Sequence, residues 1–131
     1  MPLGLLGDAW SQVGPYLRID ADGRIFIGAR DPDNGEGTAT SLPRLIAEEL
    51  DADWSKVKIV TAPPIEAIYG NPGFQGMMYT AGSNAVTSYY TPLRIFGAQV
   101  RRVLLDNAAK TLGVPVDELT TEPSTVVHAK S

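Results

Sequence analysis

Residues 15 to 30, PYLRIDADGRIFIGAR, alternate apolar and polar side chains in two short runs, Leu17 and Ile19, then Ile25 and Ile27. Alternation with a period of two is the pattern of a strand that buries one face. Between the runs stands Asp20-Ala21-Asp22-Gly23. Its glycine tolerates the positive φ of a tight turn, so the segment predicts a β-hairpin. The turn-formers Asp31-Pro32-Asp33-Asn34-Gly35-Glu36-Gly37 follow, and beyond them Leu42, Leu45, Ile46 and Leu50 recur at the spacing of one helix face. Thr40 or Ser41 is expected to cap this helix, with Pro43 in its first turn, where a missing N–H costs little. Residues 56 to 61, KVKIVT, alternate again and predict a third strand.

From Ala62 to Ala81 the pattern stops, yet the stretch holds Ile65, Ile68, Tyr69, Phe74, Met77, Met78 and Tyr79. A loop this long and apolar is expected either to fold back over its own core or to meet a partner or ligand. Between residues 84 and 112, Val86, Tyr89, Tyr90, Leu93, Phe96, Val100, Val103 and Leu104 trace one side of an amphipathic helix, with Arg94, Arg101, Arg102, Asp106 and Lys110 mostly on the other. A continuous helix over that range would exceed ~40 Å at ~1.5 Å per residue. Pro92 is therefore expected to kink it, or to restart it with Thr91 as cap. Gly113 closes the helix, residues 115 to 119 predict a short helical turn, and residues 124 to 129 a last edge strand. The expected fold class is α+β, a single two-layer β-β-α-β-α-β domain over residues 1 to 131, with helices on one face of a mixed sheet.

Composition narrows the functions open to such a domain. With 131 residues, 44% of them apolar, there is enough material for one core. Eleven Lys and Arg against fifteen Asp and Glu give a net charge of −4, which argues against nucleic acid as partner. The absence of cysteine excludes disulfides, thiolate metal sites and a cysteine nucleophile. The one histidine, His128, lies near the C-terminus, where a catalytic triad would depend on an end expected to fray. No stretch approaches the ~20 apolar residues of a membrane span, and the first residues lack a secretory pattern, so a cytoplasmic protein is expected, with a periplasmic location open through a partner.

Two segments just before helix starts are built from small residues: Gly35-Glu36-Gly37-Thr38 and Thr80-Ala81-Gly82-Ser83-Asn84. A helix N-terminus offers N–H groups and the positive end of its dipole to anions. If the second and third predicted strands run parallel, both helix starts emerge at one sheet edge and could share a ligand. Gly-x-Gly and Gly-Ser are also ordinary turn and cap residues. Neither a Walker lysine nor a dinucleotide glycine fingerprint is present. Of the carboxylates, Glu48 and Glu49 are expected on the solvated side of the first helix, while the turn accounts for Asp20 and Asp22.

The runs YLRIDADGRIFI, NGEGTATSLPRLIAEELDADWSKVKIVTAPP, YGNPGFQGMMYTAGSNAV and YYTPLRIFGAQVRRVLLDNAAKTLGVPVDELTTE together resemble the molybdopterin-binding large subunit of the xanthine dehydrogenase family, nearest its isoquinoline 1-oxidoreductase and aldehyde dehydrogenase branch. The resemblance implies a β-β-α-β-α-β cofactor domain and a molybdopterin cytosine dinucleotide held between several such domains. It also implies a larger molybdopterin subunit and an iron–sulfur subunit as partners, and aldehydes or N-heterocycles as substrates.

The family's Gly-Gln-Gly corresponds here to Gly35-Glu36-Gly37, and its Thr-Gly-Gly-Ser-Thr-Ser to Thr80-Ala81-Gly82-Ser83-Asn84-Ala85, so Gly35, Glu36, Gly37, Thr80, Gly82 and Ser83 are the implied cofactor-binding positions. Glu36, Met77 and Ala85 depart from the pattern. The family's catalytic glutamate belongs to a segment with no counterpart in this chain, so no catalytic residue and no metal ligand is expected, and the chain is not catalytic alone. It is a piece of a split enzyme, a fragment, or a solitary non-catalytic assembly module that kept the fold and lost the cofactor, in which last case a homo-oligomer is expected.

Overall fold

The computed structural model describes residues 10–12, 17–29, 35–61, 75 and 85–131. Strand β1 (Trp10–Gln12) pairs antiparallel with β2 (Leu17–Asp20), which forms the expected hairpin with β3 (Ile25–Ala29). Helix α1 (Thr38–Leu50) crosses the sheet and returns the chain to β4 (Val57–Thr61), parallel to β3 in the register Ile25↔Val57 to Ala29↔Thr61. The sheet order is β1-β2-β3-β4, mixed as expected. Helix α2 (Ala85–Leu112) follows, then a hairpin of β5 (Leu119–Glu122) and β6 (Thr125–His128).

The alternation read in the sequence fixes the buried face. Leu17 opposes Ile27 and Ile19 opposes Ile25, and all four side chains are buried. Against them pack Leu42, Ile46 and Leu50 of α1 and Tyr89, Leu93, Val100 and Leu104 of α2, one cluster with both helices on the same face of the sheet. Each fully buried aliphatic side chain of this kind contributes roughly 1.5–3 kcal/mol relative to exposure. Gly97 lets the helices approach closely: a Cβ there would stand 2.6 Å from the carbonyl oxygen of Ile46.

Both helices end in a left-handed residue. At the end of α1, Asp51 has φ 59°, and the N–H of Ala52 reaches back to the carbonyl of Ala47 at 2.9 Å. After α2, Gly113 has φ 67°, and Val114 donates to Ala109 at 3.1 Å, the same reverse turn. Gly113 thus ends α2 as expected.

Several expectations are corrected. Helix α1 begins at Thr38 with Gly37 as its N-cap, so neither Thr40 nor Ser41 caps it, and Pro43 lies in the second turn. Helix α2 runs unbroken through Pro92 for 28 residues. Proline removes one hydrogen bond, and the packing of Tyr89 and Leu93 on the core outweighs that local cost. Val86, Tyr90 and Val103, read as part of its apolar stripe, are exposed at 43%, 44% and 47%.

The last strand does not join the main sheet. It pairs with β5, which the apolar pattern did not mark, and packs through Leu119 and Val126 on Ala108 near the end of α2. Strand β1 also lay outside the expected set. The long apolar loop lies outside the described residues except for Gln75.

Candidate functional site

The parallel pairing of β3 and β4 brings Ala29 beside Thr61, so the chain leaves both strands at one edge of the sheet. This is the edge at which open α/β sheets place ligands. The first candidate loop is built there. Gly35 and Gly37 adopt φ of 104° and 87°, a backbone region that favours glycine, and a Cβ at either position would meet nothing within 4 Å. The two glycines are therefore set by backbone conformation, and they leave the loop open to close approach by a ligand.

Gly37 caps the helix through its carbonyl, which accepts from Ser41 at 2.8 Å and Thr40 at 3.1 Å. Between the glycines, the exposed Glu36 turns its carboxylate back onto the helix start. The hydroxyl of Thr38, a residue 4% exposed, donates to Glu36 Oε1 at 2.7 Å. A carboxylate is favourable beside the first turn of a helix. The buried Thr38, part of the candidate segment, orients Glu36. The other three implied positions, Thr80, Gly82 and Ser83, lie outside the described residues, as does Met77.

Several of the remaining charged groups have structural partners. Arg24 pairs with Asp22 at 2.8 Å and with Asp20 at 3.5 Å across the hairpin turn, as the turn chemistry implied. The backbone N–H of Arg24 and its guanidinium hold the Asp22 carboxyl below its ordinary value. Glu49 was expected on the solvated side of α1 and is instead half-buried. It receives the Nε and Nη2 of Arg94 at 2.6 Å, while Arg94 Nη1 donates to the Tyr90 hydroxyl at 2.8 Å. The Glu49 carboxylate raises the Arg94 pKa further. The signal was in the sequence: Glu49 follows Leu42, Leu45 and Ile46 at helical spacing and so flanks the apolar face.

His128 is likewise not at a frayed end. Its side chain is 8% exposed; Nε2 lies 3.0 Å from Glu118 Oε2 and Nδ1 2.7 Å from Ser131 Oγ. Lys130 holds the other oxygen of Glu118 at 2.8 Å. Hydrogen bonds from His128 and then Lys130 lower the Glu118 pKa. Among the described residues no group of three His, Asp or Glu could hold a metal, and no helix is long and apolar enough to cross a membrane.

The fold is a two-layer α+β unit with a glycine-containing turn before its first helix, and comparison with known proteins narrows what it is similar to. No family profile matches the chain. It is 41% identical over 116 residues to the beta chain of isoquinoline 1-oxidoreductase from Brevundimonas diminuta, covering 88% of the chain and 15% of that protein. It is 32% identical over 122 residues to a membrane-bound aldehyde dehydrogenase of Gluconacetobacter polyoxogenes whose name carries pyrroloquinoline quinone, and 34% identical over 112 residues to a subunit of nicotinate dehydrogenase from Pseudomonas putida. These cover 93% and 86% of the chain, but only 15% and 9% of the relatives. Over this segment the chain belongs with the xanthine dehydrogenase family, as its sequence runs implied.

Proposed function

We propose that the chain is a molybdopterin-binding domain of a molybdenum hydroxylase-like oxidoreductase, acting on aldehydes or N-heterocycles only together with partner chains. The observation that carries this reading is the match across 88% of the chain to the beta chain of isoquinoline 1-oxidoreductase. The geometry of the first loop fits such a group. Gly35 and Gly37 leave open space where a side chain would stand, so their backbone would hold the pterin end of the cofactor, with Glu36 beside it. Thr80, Gly82 and Ser83 would complete the site from the start of α2. When bound, the cofactor supplies the redox chemistry, with water as the oxygen source. This chain contributes orientation and backbone hydrogen bonds.

A larger molybdopterin subunit and an iron–sulfur subunit are the partners of this reading. Isolation of the native protein from its source should bring both, with molybdenum and pterin in the complex. Isolation without either partner and without molybdenum overturns it, and quinone in place of molybdenum would assign the site to the other cofactor named among the relatives.

One observation favours a second reading, a solitary assembly module without cofactor. The Glu36 carboxylate, held toward the helix start by Thr38, places negative charge where the family resemblance implies a neutral glutamine. A cofactor-free homo-oligomer in the native source would select this reading.

A further inference from the structure

We propose that Ser131 is an activated nucleophile, with His128 as its general base and Glu118 orienting that base, and that it accepts an acyl group from small esters with a good leaving group. These three side chains lie on the C-terminal hairpin and the helical turn before it, away from the residues Gly35 to Thr38 in sequence. Fraying at the end of the chain is what would break such a relay. Instead His128 is carried by β6, its side chain is 8% exposed, and both ring nitrogens are within hydrogen-bond reach of a side chain.

The charges around the ring decide which nitrogen is basic. Glu118 Oε2 lies 3.0 Å from His128 Nε2, and Lys130 Nζ donates to Oε1 at 2.8 Å. These two bonds hold the Glu118 carboxyl below the usual carboxylate range, so at neutral pH it is ionised and only accepts. Nε2 therefore carries the ring proton. In neutral imidazole that leaves Nδ1 bare, and the Ser131 hydroxyl 2.7 Å away donates to it. A hydroxyl on a base, with the base oriented by a third group, is the arrangement that activates serine for acyl transfer. The nitrogens exchange roles relative to the common triad, where Nε2 is the base, but geometry and roles define the relay. Ser131 is exposed, so its oxygen is open to a small acyl donor while the base behind it is shielded.

In the step itself, Ser131 Oγ bonds to the acyl carbon as its proton passes to Nδ1. The bond from that carbon to the leaving oxygen breaks, and the leaving group takes the proton from His128. Nothing is oxidised or reduced, and the product is an ester on Ser131. A positioned base contributes about 10²–10⁴-fold to such a step.

The full 131-residue chain is treated with p-nitrophenyl acetate, and the acetylated positions are mapped by mass spectrometry of its peptides. Ser131 is expected to label about a hundredfold or more faster than the other serines, and Ser131→Ala to abolish that label. His128→Gln keeps an N–H toward Glu118 but supplies no base, and should lose the hundredfold. In His128→Gly, free imidazole should restore labelling of Ser131, which it would not do for a histidine with a structural role alone. Glu118 is a positioning residue, so Glu118→Asp should retain more of the rate than Glu118→Gln. Acetyl groups spread over lysines and serines without preference for Ser131, or a Ser131 rate unchanged in His128→Gln, overturn the proposal. The readout involves neither molybdenum nor partner chains, so it is decided separately from the oxidoreductase reading.

Discussion

The hydroxyl of Ser124 accepts a hydrogen bond from the backbone N–H of Asp53 at 2.8 Å, joining residues 71 apart in sequence. The N–H of Ser124 in turn donates to the carbonyl of Asp51 at 2.8 Å. Through this residue the turn of the C-terminal hairpin is bound to the end of α1, so the hairpin and the main layer share one boundary. Ser124→Ala removes the acceptor and leaves the Asp53 N–H to find another partner. The expected loss is about 1–3 kcal/mol in urea unfolding, with retention of the wild-type midpoint as the opposing result. Ser124→Gly separates two effects, because it loses the hydroxyl but relieves the φ of 56°.

Gly97 makes a second prediction, decided by comparing magnitudes. In an exposed helix interior, Gly→Ala gains about 1 kcal/mol in propensity. Here the added Cβ would stand 2.6 Å from the backbone oxygen of Ile46 and 3.0 Å from Cβ of Glu49, so α1 and α2 must separate. Overpacking of this kind costs about 1–3 kcal/mol and takes the Arg94–Glu49 pair out of register. Gly97→Ala should therefore lower the thermal midpoint. A raised midpoint would show that the helices yield without cost.

The sequence showed most where a repeated period met a buried face. The hairpin of β2 and β3, helix α1, strand β4 and the stop at Gly113 all follow from local pattern. Strand β1 has three residues, too few to display alternation. In β5, LTTE, only Leu119 is buried, so pairing with β6 rather than a periodic apolar face makes it a strand. Spacing sets Glu49 beside the apolar face of α1, but its pairing with Arg94, like the Ser124 bond, depends on tertiary proximity, which spacing along one element does not encode. At the candidate site, Gly35 and Gly37 are legible as small residues just before a helix start, whereas the bond from Thr38 to Glu36 depends on how the turn closes.

Acid should loosen the C-terminal hairpin. Hydrogen bonds from His128 and Lys130 hold Glu118 below the usual carboxylate range. A carboxyl whose folded pKa is depressed contributes stability that is present above its unfolded pKa and is lost as pH falls through the folded value. Asp53, lowered by the hydroxyl and N–H of Ser55, and Asp22 act in the same direction. Stability should therefore decline as pH drops below about 4 to 5. Glu118→Gln should flatten the decline, read as denaturation midpoints against pH. An unchanged slope in that variant would show that His128 and Lys130 do not favour the ionised carboxylate.

Glu36→Gln tests the point at which this chain departs most sharply from its family. An ionised carboxylate only accepts hydrogen bonds, whereas an amide also donates one, and Glu36 would stand close to an anionic cofactor. Two like charges ~4 Å apart cost on the order of 1 kcal/mol in water and ~4 kcal/mol at an effective dielectric of 20, more than a neutral hydrogen bond returns. Against this, a negative charge near the start of α1 stabilises the helix by about 0.3–1 kcal/mol, and the bond from Thr38 keeps it there. The two effects predict opposite changes from one substitution: slightly lower stability of the isolated chain, and higher molybdenum and pterin content in protein purified with its partners. Full loading of the wild type, unchanged in Glu36→Gln, would mean that Thr38 holds the carboxylate clear of the ligand, and the cofactor-free reading would then lose its main support.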